Sequence, residues 1–276
     1  MPTSSRPATA ARRPPAPRCP PHPPLSAQID ASANSLLAAL PAPDWQQWSK
    51  QLEWVAMPFG QVVYDAGSPV THVYFPTTAV VSMLVLMANG DCAEAATIGN
   101  DGVVGVPLML GGMSTIGRAV VQVGGHAYRL KSEVVTETFN RGGAAMHLLL
   151  CYSQTLLTQM AQNAACNRHH TVDQQVCRLI LMNLDRVKGN LLQLTQELLA
   201  GKLGVRRESV TEVALALQRA GLIRYARGSI EVLDRDGLEQ RACECYGVVK
   251  GESLRLLQLA GTNQSSTWNK YRTSIR

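Results

Sequence analysis

The sequence of 276 residues predicts an α+β chain: an N-terminal antiparallel β-roll of jelly-roll type, one long helix, and a C-terminal helix-turn-helix with a wing. Three observations predict it. Residues 57–130 are short β-runs broken by turn signals, and 144–167 are one unbroken helical pattern. The stretch LTQELLAGKLGVRRESVTEVALALQRAGLI, over 194–223, reads as two short helices joined by a glycine-containing turn.

A chain of this length holds two domains, each able to bury a core. Its longest apolar runs, VVSMLVLMA from Val80 and GVVGVPLMLGGM from Gly102, fall short of the roughly 18 residues a membrane span needs, so no membrane partner is expected. No continuous apolar segment marks a secretory signal, and seven irregularly spaced cysteines do not form a disulfide framework, which places the protein in a reducing cytoplasm. The formal charge of +6 is unevenly spread. Residues 1–24 and 247–276 together carry +8, 25–185 carry −4, and 186–241 carry +3. A mildly basic C-terminal module behind an acidic N-terminal one fits phosphate contact by the former alone.

Residues 1–25 are expected to be a disordered tail, since nine of the fifteen prolines lie in 1–24 with Ser, Ala and Arg between them. Residues 26–56 read as amphipathic helix, with Leu36, Leu37 and Leu40, a proline-broken link, then Trp45, Trp48, Leu52 and Val55. They belong with the β-roll in a domain spanning 26–143. Its strands include THVYFP, AVVSMLVLM, CAEAATIG after an Asn89-Gly90 turn, and RAVVQVGGHAYRL. In AVVSMLVLM both alternating sets are largely apolar, so that strand is expected to be buried on both faces. A short helix over 131–140 precedes the long one.

On the long helix Met146, Leu150, Leu157 and Met160 form one stripe and Leu149 and Leu156 a second beside it, more apolar face than one β-roll needs. These six are the expected homodimer interface, with 144–168 the dimerisation helix. A further helix over 172–187 opens the C-terminal module, 169–246, and 247–276 is expected to be a basic tail. In the module, Thr195 caps the first short helix and Gly204 stops it. On the second, Val210, Val213, Ala214 and Leu217 recur at i, i+3, i+4, i+7 and face a core. That leaves Arg207, Glu208, Thr211, Glu212 and Arg219 outward, as a helix entering a DNA major groove requires. LIRY, a turn at 226–228 and SIEVL then read as a β-hairpin wing.

This order of elements resembles the Crp/Fnr superfamily of bacterial transcription regulators, most specifically at THVYFP, CNRHHTVDQQVCRLILMNLDR, LTQELLAGKLGVRRESV and RACECY, and over about residues 50–246. The resemblance implies a cyclic-nucleotide-binding-type β-roll, a dimerisation helix and a winged module that binds double-stranded DNA, with RNA polymerase as a partner if the protein activates. The family's operator-reading pattern, R-E-[ST]-V followed by an Arg four residues after the Glu, falls on Arg207, Glu208, Ser209, Val210 and then Glu212. An Arg pairs bidentately with guanine and a Glu accepts from cytosine, each worth roughly 1 to 3 kcal/mol of discrimination. Glu212 departs from the pattern and cannot donate to guanine, so the operator should differ from the family's best-known consensus. Arg207, Glu208, Thr211 and Glu212 are therefore the candidate base readers, and Thr195, Lys202, Arg206, Arg219 and Arg227 the candidate backbone contacts.

Where cyclic-AMP-binding relatives carry Gly-Glu-Leu and then Arg-Ser or Arg-Thr, this chain has Gly105, Val106, Pro107 and then Arg118, Ala119. Val106 cannot accept a hydrogen bond and Ala119 has no hydroxyl, so the effector of this candidate pocket is expected to be a small molecule other than cyclic AMP, or absent. The N-terminal cysteine cluster of oxygen-sensing relatives is missing, so no iron-sulfur centre is expected. Cys166 with His169 or His170, and Cys243 with Cys245, offer ligand types at spacings too common to specify a metal; buried free thiols, no metal, no cofactor and no catalytic residue are the expectation. Two alternatives stay open: a winged helix that binds protein and not DNA, and a Cys/His metal- or redox-dependent protein.

Overall fold

The computed structural model describes residues 30–261 except Met113 and Arg227. The expectations for the tail 1–25, for Arg227 and for 262–276 lie outside the described residues.

Asn34 is fully buried and follows directly on a 3-10 turn at Ala31–Ala33. Its amide caps α1 (Ser35–Ala38) through Leu36 N and Leu37 N, and its Nδ2 donates to the carbonyls of Pro76 and Gly102, 2.9 Å each. α2 (Ala42–Trp48) buries Trp48, whose Nε1 donates to Thr138 Oγ1 at 3.0 Å. The helical reading of 26–56 ends there: Val55 lies in β1 (Glu53–Met57), because this stretch finds an antiparallel partner in β7 (Gly125–Lys131).

Between them run β2 (Val62–Tyr64), β3 (His72–Pro76), β4 (Val80–Leu86), β5 (Cys92–Ile98) and β6 (Gly117–Val123). They form two antiparallel sheets, β1-β7-β3 and β2-β6-β4-β5, the β-roll the alternation predicted. β4 is central, pairing Val81 with Ile98 on one side and Val121 on the other. Val80 to Met83 are buried on both faces as expected, but Leu86 and Met87 are exposed, since the register shifts after Met83 and the chain runs out to the Asn89-Gly90 turn. Gly90 takes φ +90 there.

α3 (Ser132–Arg141) leads into α4 (Ala144–His169), a 26-residue helix, and α5 (Val172–Leu184) follows behind a capping box at Thr171 and Gln174. The second core gathers α5, α6 (Gln196–Leu203), α7 (Arg207–Arg219) and a three-stranded wing ordered β8-β10-β9, from β8 (Leu191–Leu192), β9 (Ile223–Ala226) and β10 (Ser229–Val232). β8 leaves no trace in the sequence pattern; two residues are too short for a periodicity to show. α8 (Arg235–Arg241) and α9 (Cys245–Gly261) close the described chain. α9 corrects the expectation of a basic tail from 247: its Val249 and Leu256 are buried, and it lies along α4.

The glycine-rich loop after β5 is a tight connection against the helices. A Cβ on Gly102 would stand 2.2 Å from the Tyr152 hydroxyl, and Asp101 takes two hydrogen bonds from Arg186 at 3.1 and 2.6 Å. No helix among the described residues is long and apolar enough to cross a membrane.

Candidate nucleic-acid interface

Thr195 caps α6 by accepting from Leu198 N at 3.0 Å, and Gly204 ends it in the left-handed region at φ +64. The chain turns through Arg206, whose extended backbone starts α7. Val210, Ala214 and Leu217 are buried and Val213 is partly so, which fixes the rotation of α7. Arg206, Arg207, Glu208, Glu212 and Arg219 are thereby exposed on one module surface, with Thr211 half-buried at its edge. The Thr211 hydroxyl is already engaged, 2.8 Å from Gln196 Oε1 and 3.0 Å from the Arg207 carbonyl. Among the described residues the Arg207 guanidinium has only a distant companion, Glu197 at 4.0 Å, both side chains being mostly solvated. Such a pair is worth little and leaves Arg207 available. Tyr225 of the wing accepts from Gln196 N at 3.0 Å, tying β9 to the start of α6.

Lys202 corrects the list of phosphate contacts. It is 3% exposed and points away from the α7 surface, into the β-roll. Its ammonium donates to Glu94 and Gln122, and to Ser82 Oγ at 2.9 Å, while Gln122 in turn donates to Asn183 of α5 at 2.8 Å. Burial pulls the Lys202 ammonium below its ordinary value, with Glu94 acting against that. A cation so enclosed holds the two domains together and cannot reach a phosphate.

Of the four residues marked for an effector, Gly105, Val106 and Ala119 are buried and Arg118 is half-buried. Gly105 has φ +119 and packs on Val73, where an added Cβ would come within 2.9 Å. Val106 and Ala119 are core residues at 4% and 0% exposure. Arg118 is half-buried and bidentate with Asp65, at 2.8 and 2.7 Å, and these hydrogen bonds hold the Asp65 carboxyl below its ordinary 3.8.

The six residues expected at a dimer interface separate into two groups. Leu149 and Leu156 are buried inside their own chain and Met160 packs against the same core, because this side of α4 rests on the β-roll. Leu150 and Leu157 are exposed at 39% and 52%, and Met146 is half-buried. The exposed seam runs His147, Leu150, Gln154, Leu157, Ala161, Ala164 and Arg168, alternating three- and four-residue steps.

Four potential metal ligands that the sequence leaves apart converge at the end of α4: Cys166, His170, Cys243 and Cys245. Burial pushes the Cys166 thiol up to about 12, as it does Cys177.

A β-roll, a long helix and a winged helix-turn-helix follow one another in this order along the chain. Residues 174–241 match the model of the Crp-like helix-turn-helix domain. FixK2 from Bradyrhizobium japonicum superposes with a TM-score of 0.60 at 16% identity, over 70% of this chain and 98% of that one. A Crp-family regulator from Thermus thermophilus gives 0.57 at 17%, over 68% and 96%, and a Crp/Fnr-family regulator from the same organism 0.56 at 21%, over 69% and 98%. A sequence comparison with curated proteins found no match. The chain thus carries a Crp-like helix-turn-helix domain on the fold of the Crp/Fnr transcription regulators.

Proposed function

We propose that the protein is a cytoplasmic, homodimeric, sequence-specific DNA-binding transcription regulator. The observation that carries this is the exposed N-terminal end of α7, where Arg207 and Glu208 have no strong partner among the described residues, on a capped and winged helix-turn-helix. Arg207 reads a guanine and Glu208 a cytosine in the major groove, with Glu212 shifting the preference one turn further along the helix. Thr211 lies at the edge of this reading surface. Arg206, Arg219 and the Thr195 end of α6 flank it toward the backbone. The α4 seam supports pairing of two copies through Leu150 and Leu157, which sets two α7 helices on a two-fold-symmetric operator.

The burial of Val106 and Ala119 and the pairing of Arg118 with Asp65 support an effector other than cyclic AMP, if the β-roll takes one. If the protein activates, RNA polymerase is its further partner. The test is selection of binding sites from random duplex DNA, followed by titration at several salt concentrations. A symmetric motif whose binding falls steeply with salt supports the reading, and salt-independent recovery without a motif refutes it.

A further inference from the structure

The sulfur and nitrogen atoms of Cys166, His170, Cys243 and Cys245 lie within 4.8 Å of one another. Cys166 Sγ is 3.5 Å from Cys243 Sγ, and Cys245 Sγ is 3.4 Å from His170 Nδ1. Thiolates bound tetrahedrally at about 2.3 Å from one ion stand about 3.8 Å apart, with the imidazole nitrogen slightly closer. The four atoms therefore already occupy roughly the corners of a single-ion site. An iron-sulfur cluster needs its sulfurs spread more widely.

Local structure prepares these positions. Cys166 and His170 are four residues apart at the end of α4, so they share a face, and Gln175 of α5 donates to both their carbonyls, at 3.3 and 2.8 Å. Cys243 and Cys245 flank the turn from α8 to α9. The shell around them is as specific. His170 presents Nδ1 to the cluster and Nε2 to Glu244 Oε1 at 3.2 Å, the arrangement in which a carboxylate orients a metal-binding imidazole. Gln162 Nε2 donates to Cys245 Sγ at 3.1 Å.

Charge supplies an independent argument. Arg178 is 3% exposed, lies beside Cys166, and donates to Asn163 and Met182; among the described residues no carboxylate lies within ion-pair distance of it, and its Nε has no acceptor. A buried guanidinium without an anion is costly. Three thiolates and a neutral imidazole around a divalent ion carry a net charge of about −1, which is the missing counter-charge. We propose that Cys166, His170, Cys243 and Cys245 form a structural Zn²⁺ site.

Binding exchanges the three thiol protons for the ion, with no redox step. The ion joins the end of α4, the α4–α5 junction and the α8–α9 turn, so it fixes how the winged module leaves the long helix. His170, half-buried beside exposed Glu244, gives the ion its way in.

The test is metal analysis of the full-length protein purified without chelator, together with titration of the reduced, metal-stripped protein by Co²⁺ and by Zn²⁺ against a chromophoric chelator. The expected result is one zinc per chain and an intense Co²⁺ spectrum with thiolate charge-transfer bands, displaced by Zn²⁺. Cys166→Ser and Cys243→Ser/Cys245→Ser should each weaken zinc binding at least tenfold, with Cys92→Ser unchanged. The wild-type titration needs no variant to fold. Absence of one-to-one binding by the reduced wild type, iron or copper in place of zinc, or a Cys166–Cys243 disulfide in the purified protein would each overturn the proposal.

Discussion

Lys202 ties the two domains together through a buried ion pair with Glu94, and its removal has a calculable cost. Lys202→Met keeps most of the stem and deletes the ammonium, leaving Glu94, whose side chain is 4% exposed, as a buried carboxylate without its cation. Breaking a buried ion pair from one side costs about 3–5 kcal/mol. Thr97 still donates to Glu94 Oε1 at 2.8 Å, which places the expected loss near about 3 kcal/mol. Replacing both partners, Lys202→Met with Glu94→Leu, removes both charges and should recover most of that, so the double-mutant cycle should show a coupling of about 2–3 kcal/mol. Urea unfolding at neutral pH gives the energies, and hydrogen exchange should show α6 deprotected in the single variant. A Lys202→Met loss below about 1 kcal/mol with α6 exchange unchanged would refute the buried placement. A second readout separates this from a phosphate contact: the salt dependence of DNA binding should keep its slope in Lys202→Met, whereas loss of a phosphate contact would lower it by about one.

Two further perturbations follow from the packing. Leu150→Lys with Leu157→Lys places charge on the exposed α4 seam; sedimentation should show monomers in place of dimers, with the secondary structure of the chain retained. Dimers unchanged in mass would mean that the copies pair elsewhere. Gly102→Ala drives a Cβ into the Tyr152 hydroxyl and should cost about 1–3 kcal/mol in thermal unfolding, part of which Tyr152→Phe in the same chain should restore.

How far the sequence speaks depends on how local the controlling interactions are. The helix-turn-helix is legible because Thr195, Gly204 and the Val210-to-Leu217 stripe act within their own turns, and the structure places each of them as the pattern requires. The existence of α4 is equally plain, but not its rotation. Two apolar stripes lie side by side, and only packing on the β-roll assigns Leu149 and Leu156 inward and Leu150 and Leu157 outward. Lys202 is misread from sequence for a related reason. A lysine on a short helix defaults to solvent, and its partners Ser82, Glu94 and Gln122 lie 80 to 120 residues away in the chain. The Cys/His cluster shows the same limit, since Cys166 and Cys243 are 77 residues apart. Its local traces are a Cys and a His one helical turn apart at the end of α4 and the Cys243-x-Cys245 pair, each too common a spacing to specify a metal.

DNA sequence is read, in this proposal, by the exposed end of α7. Its most direct test is capture of genomic fragments by the purified protein, wild type and Arg207→Ala in parallel, at one stated salt concentration and with cell extract present to supply any effector. Enrichment of a two-fold-symmetric motif by wild type, relaxed at one base pair per half-site in Arg207→Ala by about 1–3 kcal/mol, is the predicted result. The same motif-free recovery from both proteins would contradict it.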